Sequence, residues 1–270
     1  MSVTNQRYTQ WEILLIDDGS VDKSTSIAQD YAHRFPDKIF YVEHKGHVNK
    51  AAAATRNLGL LKSRGELIAL LDADDIWMVD KLEKQVEIFN RFPEVKMVCE
   101  ASLYWFSWNN NQMQDKVVQV GVIPDQIYKP PKLAIHLYPL DHGQAPCPSG
   151  IMVKASALRE HGGFEDSFIG KYQVYEDQAF LSKMYLNECV YISSACNNYY
   201  RQRPNSVMDE TNALGHYHIA RRFYLDWLKK YLQETRIRNR SIHFLLWKAR
   251  LNYTNPFFYK IINKIHSLFL

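Results

Sequence analysis

Leu70-Leu71-Asp72-Ala73-Asp74-Asp75 sets three carboxylates directly behind the apolar run of residues 67–71. Side chains of this type at this spacing make a hard, oxygen-rich site. Such a site suits Mg²⁺ or Mn²⁺, ions that keep several waters and share phosphate oxygens with a ligand. A buried strand would hold the carboxylates rigidly at its C-terminal end, and open α/β sheets bind ligands outside those ends. An isolated Asp-x-Asp is more often an acidic turn between strand and helix. The company this motif keeps decides between the two.

Asp17-Asp18-Gly19-Ser20 ends a second strand candidate, residues 11–16, and opens a helix. Its carboxylates can accept hydrogen bonds from a base or ribose, and the helix start favours anions. The same letters also spell a common turn. Arg56, within Ala54-Thr55-Arg56-Asn57-Leu58-Gly59 on a helix candidate, is either a partner for a nucleotide and its phosphates or a surface arginine. Gly162-Gly163-Phe164-Glu165-Asp166 either lets the backbone approach a ligand or closes a helix before a turn. Tyr175-Glu176-Asp177 opens a helix, so its carboxylates are caps, or a general base where they face a pocket. Tyr199-Tyr200-Arg201-Gln202-Arg203 follows a strand and offers two guanidinium groups for phosphate charge.

Strands must deliver these groups and helices must cover the strands. Residues 39–42, 66–71, 95–106, 151–153 and 189–193 read as strands. Residues 51–62, 156–160 and 176–186 read as helices, and a further helix is capped by Asp80 with Glu83 three residues on, a capping-box pattern. Leu82, Val86 and Phe89 form the buried stripe of that helix. Residues 108–148 are proline-rich and irregular, and the pattern after about residue 205 is helical. Such alternation argues an α/β fold with a mostly parallel sheet flanked by helices.

The 270 residues, 46% hydrophobic and 23% charged, suit one large globular domain with an appendage. The four cysteines form no CxxC pair and no zinc-finger spacing, which points to free thiols in a reducing, cytoplasmic compartment. No run of 18 apolar residues appears. From residue 229 onward, nine Lys or Arg face one acid, Glu234, among interleaved Phe, Trp, Tyr, Ile and Leu. That mixture suits either peripheral contact with an anionic membrane through residues 229–270 or ordinary packed helices with a solvated basic face. No nucleic-acid-binding module accompanies the charge, so no nucleic acid is expected as partner.

Taken in order, the motifs resemble the family 2 glycosyltransferases, which have the GT-A fold. The matching stretches are Gln6-x-Tyr8-x-x-Trp11-Glu12, Asp17-Asp18-Gly19-Ser20, Arg56-Asn57-x-Gly59, Gly65-Glu66, Asp72-Ala73-Asp74-Asp75, Pro148-Ser149-Gly150, Gly162-Gly163-Phe164, Glu176-Asp177 and Tyr200-Arg201. The resemblance implies a GT-A domain over residues 1–225, N-terminally incomplete, and a basic amphipathic helical tail over residues 226–270. It implies that Asp18, with Asp17 beside it, contacts the nucleotide base, and that Arg56 contacts the nucleotide side. Asp72 and Asp74 correspond to the Asp-x-Asp pair: Asp74 binds Mn²⁺ or Mg²⁺, and Asp72 contacts the ribose or the metal shell. Asp177 corresponds to the catalytic base, with Glu176 as its neighbour, and Arg201 belongs to the nucleotide-sugar site.

The implied activity is inverting transfer of a sugar from a nucleotide-diphosphate donor, a UDP-sugar above all, to a saccharide or lipid-linked acceptor in cell-envelope polysaccharide biosynthesis. The protein would work in the cytoplasm, at the inner face of the membrane where it touches it. A catalytically inactive or truncated nucleotide-sugar-binding relative is the alternative. The Gln-x-x-Arg-Trp motif of processive members is absent, which favours single transfer, and no glycine-rich basic loop of a nucleotidyltransferase is visible near the start. The family's first strand has no counterpart here, and Ser2-Val3-x-x-Gln6 resembles the end of the helix that follows it. That strand is expected centrally, between the strands carrying the two acidic motifs, so two strand edges are expected to be left unpaired.

Overall fold

Ile13-Leu14-Leu15-Ile16 is too apolar for a surface loop and forms β1 (Ile13–Asp17). A computed structural model of the chain describes residues 2–109, 113–204, 206–255 and 257. β1 runs through α1 (Ser24–Arg34) to β2 (Ile39–Glu43) and pairs with it in parallel, Ile13 opposite Ile39 and Asp17 opposite Glu43. α2 (Ala51–Lys62) then leads to β3 (Leu67–Ala69). A short strand, β4 (Ile76–Trp77), intervenes before α3 (Lys81–Arg91), so the helix does not follow the acidic motif directly.

The remaining strands are β5 (Met97–Trp105), β6 (Lys116–Val118), β7 (Gln126–Tyr128), β8 (Ile151–Lys154) and β9 (Val190–Arg201). They join β3 and β4 in a second sheet of order β3-β8-β5-β9-β4, with β6 on β5 and β7 on β9. The expected mostly parallel sheet is mixed. Parallel pairing is confined to β1–β2 and β5–β9, while β3–β8, β5–β8 and β4–β9 are antiparallel. Strand–helix alternation enforces parallel pairing only where a helix crosses between neighbours, and β8 enters the sheet from the irregular segment instead.

β1 and β3 are each paired along one edge only, and no strand joins them among the described residues. Contacts along α2 show that the two run in one direction. Glu12, just before β1, accepts from the Arg64 backbone N–H at 2.7 Å, beyond the C-terminal end of α2. Asp18, just after β1, accepts from the Lys50 N–H at 2.6 Å at the N-terminal end of α2. β3 leaves towards that same end, since Asp72 meets Arg56. The central apolar residues of both strands are only half-buried, whereas Met97 to Ala101 of β5 are fully buried.

Two sequence expectations change for physical reasons. Asp80 precedes α3, but its side chain makes no cap; it pairs with Arg7 at 2.9 Å. The cap comes from the buried Gln6, whose Oε1 accepts from the Leu82 N–H at 3.0 Å while its Nε2 donates to the Met78 carbonyl at 2.7 Å. β9 extends to Arg201 rather than ending near residue 193, so the Tyr-Tyr-Arg stretch closes the strand instead of following it. Its polar centre stays in the sheet because Glu100 is buried beside it. Glu100 accepts from Asn197 Nδ2 at 3.1 Å and Asn198 Nδ2 at 3.0 Å, and pairs with the fully buried Lys81 at 3.2 Å.

The second half of the chain covers one face with α4 (Lys132–His136), α5 (Ala155–Glu160), α6 (Glu176–Asn187), α7 (Val207–Ala213), α8 (Tyr217–Glu234) and α9 (Arg240–Thr254). α8 spans residue 226 and contributes Tyr224, Leu225, Leu228 and Leu232 to the main core. Most of the expected tail beyond residue 255, including Phe258, Tyr259, Ile261 and Ile262, lies outside the described residues.

Candidate active site

Arg56 is the hub. It projects from α2 and donates to Asp72 Oδ1 at 2.9 Å and to Glu176 Oε1. α2 is fixed on β1 because Gly59 leaves room for Ile16; a Cβ there would collide with the Ile16 side chain. The neighbouring Asn57 clamps the glycine loop after α5, accepting from the Phe164 N–H at 2.8 Å and donating to the Phe164 carbonyl at 2.9 Å. That contact needs Gly163, which has φ 61° and whose Cβ would strike Asn57 Oδ1.

Glu176 and Asp177 occupy the first turn of α6, where the helix dipole favours negative charge. Burial nevertheless dominates. It pushes the Glu176 carboxyl up to about 7 although Arg56 pulls it down, and it raises Asp177 as well, again against Arg56. Glu176 Oε2 is buried with no hydrogen-bond partner among the described residues. Asp177 is held by its neighbour, accepting from the Gln178 N–H at 2.7 Å. The field of Asp177 also reaches Arg56, and that of Asp72 reaches Asp177. Asp72, Arg56 and Glu176 thus meet in one site beyond the end of β3, with Asp177 next to Glu176 on the first turn of α6.

The acidic loop is pinned by Ser149. Its hydroxyl accepts from the Asp72 N–H at 3.1 Å and donates to Asp75 Oδ2 at 2.6 Å, while its carbonyl accepts from Trp77 Nε1 at 2.9 Å. Asp75 also accepts from the Arg201 N–H at 2.8 Å. Burial outweighs these bonds and raises Asp75 to about 6. Asp75 therefore fastens the loop from within and leaves Asp72 and Asp74 to face outward. Arg201 braces the same loop. Its Nε donates to the Asp74 carbonyl at 2.6 Å, and its guanidinium lies 4.7 Å from each of the Trp105 and Trp108 rings. The cation on the Asp74 carboxylate is Arg203, at 3.0 Å, a residue the sequence offered only as general phosphate charge.

The Asp17–Asp18 pair divides its work. Asp17 is buried and turned inward: it accepts from the Ser20 N–H at 2.8 Å, Thr25 Oγ1 at 2.5 Å and the Tyr41 hydroxyl at 3.1 Å. Those bonds outweigh burial and hold its carboxyl down at about 2. Asp18 is partly exposed at the N-terminal end of α2, with His44 at 3.8 Å. The Lys50 N–H from which it accepts lies about a turn and a half before Arg56 along α2. Asp17 shapes the turn, and Asp18 keeps its carboxylate partly exposed.

Asp72 and Asp74 form an oxygen-only donor pair. Asp72 commits one oxygen to Arg56, and among the described residues Asp74 meets only the half-exposed Arg203 through its carboxylate. Two carboxylates, completed by waters and phosphate oxygens, fit a hard divalent cation of the Mg²⁺ or Mn²⁺ type. A different trio, Glu160, His161 and Glu188, is the group of His, Cys, Asp or Glu whose ligand atoms lie within 4.8 Å of one another among the described residues. His161 and Glu188 already join at 2.8 Å there, tying the end of α5 to the end of α6.

The profile of the family described as "Glycosyl transferase family 2" matches residues 1–162. The chain belongs to this family. Among family relatives, the putative glycosyltransferase EpsE of Bacillus subtilis is 29% identical over 165 residues, covering 60% of this chain and 52% of EpsE. The putative teichuronic acid biosynthesis glycosyltransferase TuaG of the same organism is 40% identical over 88 residues, 32% of this chain and 33% of TuaG. The chain thus spans about half or less of the length of these two relatives. The fold is GT-A. Residues 1–349 of S. aureus TarS superpose with a TM-score of 0.60 at 15% identity, covering 95% of this chain and 68% of that one. The mannosyltransferase PcManGT of Pyrobaculum calidifontis, solved with GDP-Man and Mn²⁺, gives 0.54 at 18% identity, covering 96% and 66%.

Proposed function

We propose that the chain is an inverting glycosyltransferase that moves a sugar from a nucleoside-diphosphate donor to a hydroxyl of a saccharide or lipid-linked acceptor. The observation that carries this reading is the meeting of Asp72, Arg56 and Glu176, with Asp177 next in the chain and Asp74 facing outward. Family relatives named for teichuronic acid biosynthesis, and GT-A structures solved with UDP or with GDP-Man and Mn²⁺, support a nucleotide-sugar donor, with UDP the first base to test.

In this reading Asp18 accepts from the nucleotide base and Arg56 holds Asp72 in place beside the nucleotide. Asp74, with Asp72, holds a divalent cation, which when bound neutralises charge on the leaving diphosphate. Asp177 takes the proton of the acceptor hydroxyl as that oxygen attacks the anomeric carbon from the face opposite the diphosphate. The bond from carbon to diphosphate oxygen breaks in the same displacement, so one base suffices and the configuration inverts. A raised carboxyl suits a base working near neutral pH. The acceptor side of such an enzyme lies at a membrane surface when the acceptor is lipid-linked, consistent with the basic C-terminal region. No helix among the described residues is long and apolar enough to cross a membrane.

The unpaired edges of β1 and β3 favour a second reading, a nucleotide-sugar-binding relative without turnover. A thermal-shift screen of sugar nucleotides with Mn²⁺, followed by a nucleotide-release assay on each hit, separates the two. Binding with turnover supports the transferase, and binding alone supports the second reading. No shift with any donor contradicts both.

A further inference from the structure

Helix α9 packs on the body of the protein through Ile242, Leu246 and Ala249. At about 3.6 residues per turn, Arg240, Phe244 and Trp247 fall on the opposite face over the first two turns, and Leu251, one turn beyond Trp247 on that face, is buried. Phe244 is 50% and Trp247 45% exposed, and their rings lie side by side at 5.8 Å. Single exposed apolar residues are ordinary. This pair stands out through what surrounds it.

The link between α8 and α9 folds back on the first turn of α9. The His243 ring meets the Ile237 carbonyl at 2.9 Å, and the Asn239 side chain caps the Ile242 N–H at 3.1 Å. Arg236, Arg238 and Arg240 are therefore gathered at the end of the helix that leads to Phe244, all three exposed and none in an ion pair among the described residues. Lys248 lies one turn beyond Phe244. Local stability does not account for these cations. Arg236 takes a left-handed backbone, φ 58°, where a helix end favours glycine. Arg240 opens a helix whose first turn holds no acid, so its charge opposes the helix dipole.

We infer that this face of α9 docks on an anionic lipid bilayer, with Phe244 and Trp247 entering the headgroup–acyl boundary and Arg236, Arg238, Arg240 and Lys248 meeting lipid phosphates. Exposed aromatic side chains on one helix face, with exposed cations at the start of that helix and in the link before it, match a planar anionic surface with an apolar interior. A second copy would bring like charges together. The docking uses none of the residues of the sugar-transfer site. It deepens that reading by placing the site at a lipid surface, and its failure would leave the chemistry intact.

The test is sedimentation of the full chain with phosphatidylcholine vesicles, with and without phosphatidylglycerol, at low and high salt. Binding is expected only with the anionic lipid and should weaken in salt. Arg238→Gln with Arg240→Gln should lower partitioning about 25-fold, from about fivefold per basic residue. Phe244→Ser with Trp247→Ser should lower it about tenfold or more. A blue shift of tryptophan emission on vesicle addition should disappear in Trp247→Phe. UDP affinity, measured in parallel, should match the parent in every variant and so report that each is folded. Equal binding to neutral vesicles, no binding at low salt, capture of an RNA oligonucleotide in place of vesicles, or folded variants that partition like the parent would each overturn the assignment.

Discussion

Arg56 joins Glu176 across 120 positions of sequence, and through its second nitrogen it also holds Asp72. One guanidinium thus ties α2, the loop after β3 and the start of α6 into a single site. A planar, forked cation can bridge two carboxylates in this way, and an ammonium cannot do so with the same geometry.

Arg56→Ala should therefore destabilise the fold by about 3 kcal/mol above about pH 8, where Glu176 is ionised, the scale for leaving a buried charge without its partner. Arg56→Lys should recover only part of the loss. Chemical denaturation at about pH 8.5 and pH 5 checks this, because the penalty should shrink at pH 5, where Glu176, raised to about 7, is protonated. An equal penalty at both values would mean that the pair is not ionised in the parent.

Stability should fall as pH rises from about 4.5 to about 7. Glu176, raised from 4.5 to about 7, and Asp75, raised from 3.8 to about 6, bind protons more tightly in the folded chain than in the unfolded one. Their contribution is complete below the unfolded values and is lost as pH passes the folded ones. Asp17, held at about 2 against an ordinary 3.8, acts in the opposite sense: its contribution is present above 3.8 and is lost as pH falls through about 2. Melting temperatures across this range should peak on the acid side of neutrality, and Glu176→Gln should flatten the decline above pH 5. A parent curve that rises from pH 5 to pH 7 would contradict the burial argument.

Ser149→Ala should cost about 1–3 kcal/mol for each polar group it strands, here the Asp72 N–H and Asp75 Oδ2. Because Ser149 fixes the loop rather than touching a ligand, metal-dependent UDP affinity should fall as well. Parallel unfolding and calorimetric measurements check both effects. Unchanged UDP affinity in a destabilised variant would confine Ser149 to the fold.

Asp74→Ala should abolish the gain in UDP affinity on adding Mn²⁺, while metal-free affinity stays near the parent value. Calorimetry with and without the ion reads the difference. A variant whose affinity responds to Mn²⁺ as the parent does would move the cation elsewhere.

Backbone amides at the open edges of β1 and β3 should exchange with solvent well before those of β5. Pairing in the ladder protects amides, and among the described residues β1 and β3 each lack a neighbour on one side. Hydrogen-exchange mass spectrometry comparing residues 13–17 and 67–69 with residues 97–101 measures this. Equal protection would show that both edges are covered in solution.

The strands that carry the site were legible because each ends in a run of one chemistry, apolar then acidic, as at Ile16-Asp17 and Leu71-Asp72. Their convergence was legible only through the family resemblance, since nothing local to Asp72 indicates that Arg56 and Glu176 lie beside it. Contacts made across long distances were hidden. Gln6 replaces Asp80 as the cap of α3 because it reaches the Leu82 N–H from 76 positions away. The polar stretch at the centre of β9 lay outside the strand read at residues 189–193, because the carboxylate that satisfies it, Glu100, belongs to another strand. Ser149 carried a signal in the Pro148-Ser149-Gly150 match, but its role needed the positions of Asp72 and Asp75.

The account rests on Asp177 acting as the base of a site that also binds the donor. It is tested most sharply by the turnover of Asp177→Asn on a donor that the parent cleaves, with UDP affinity measured on the same preparation. Affinity should stay close to that of the parent while turnover falls about 10²–10⁴-fold, the scale of a lost general base. Turnover close to the parent's, with UDP bound normally, would contradict it.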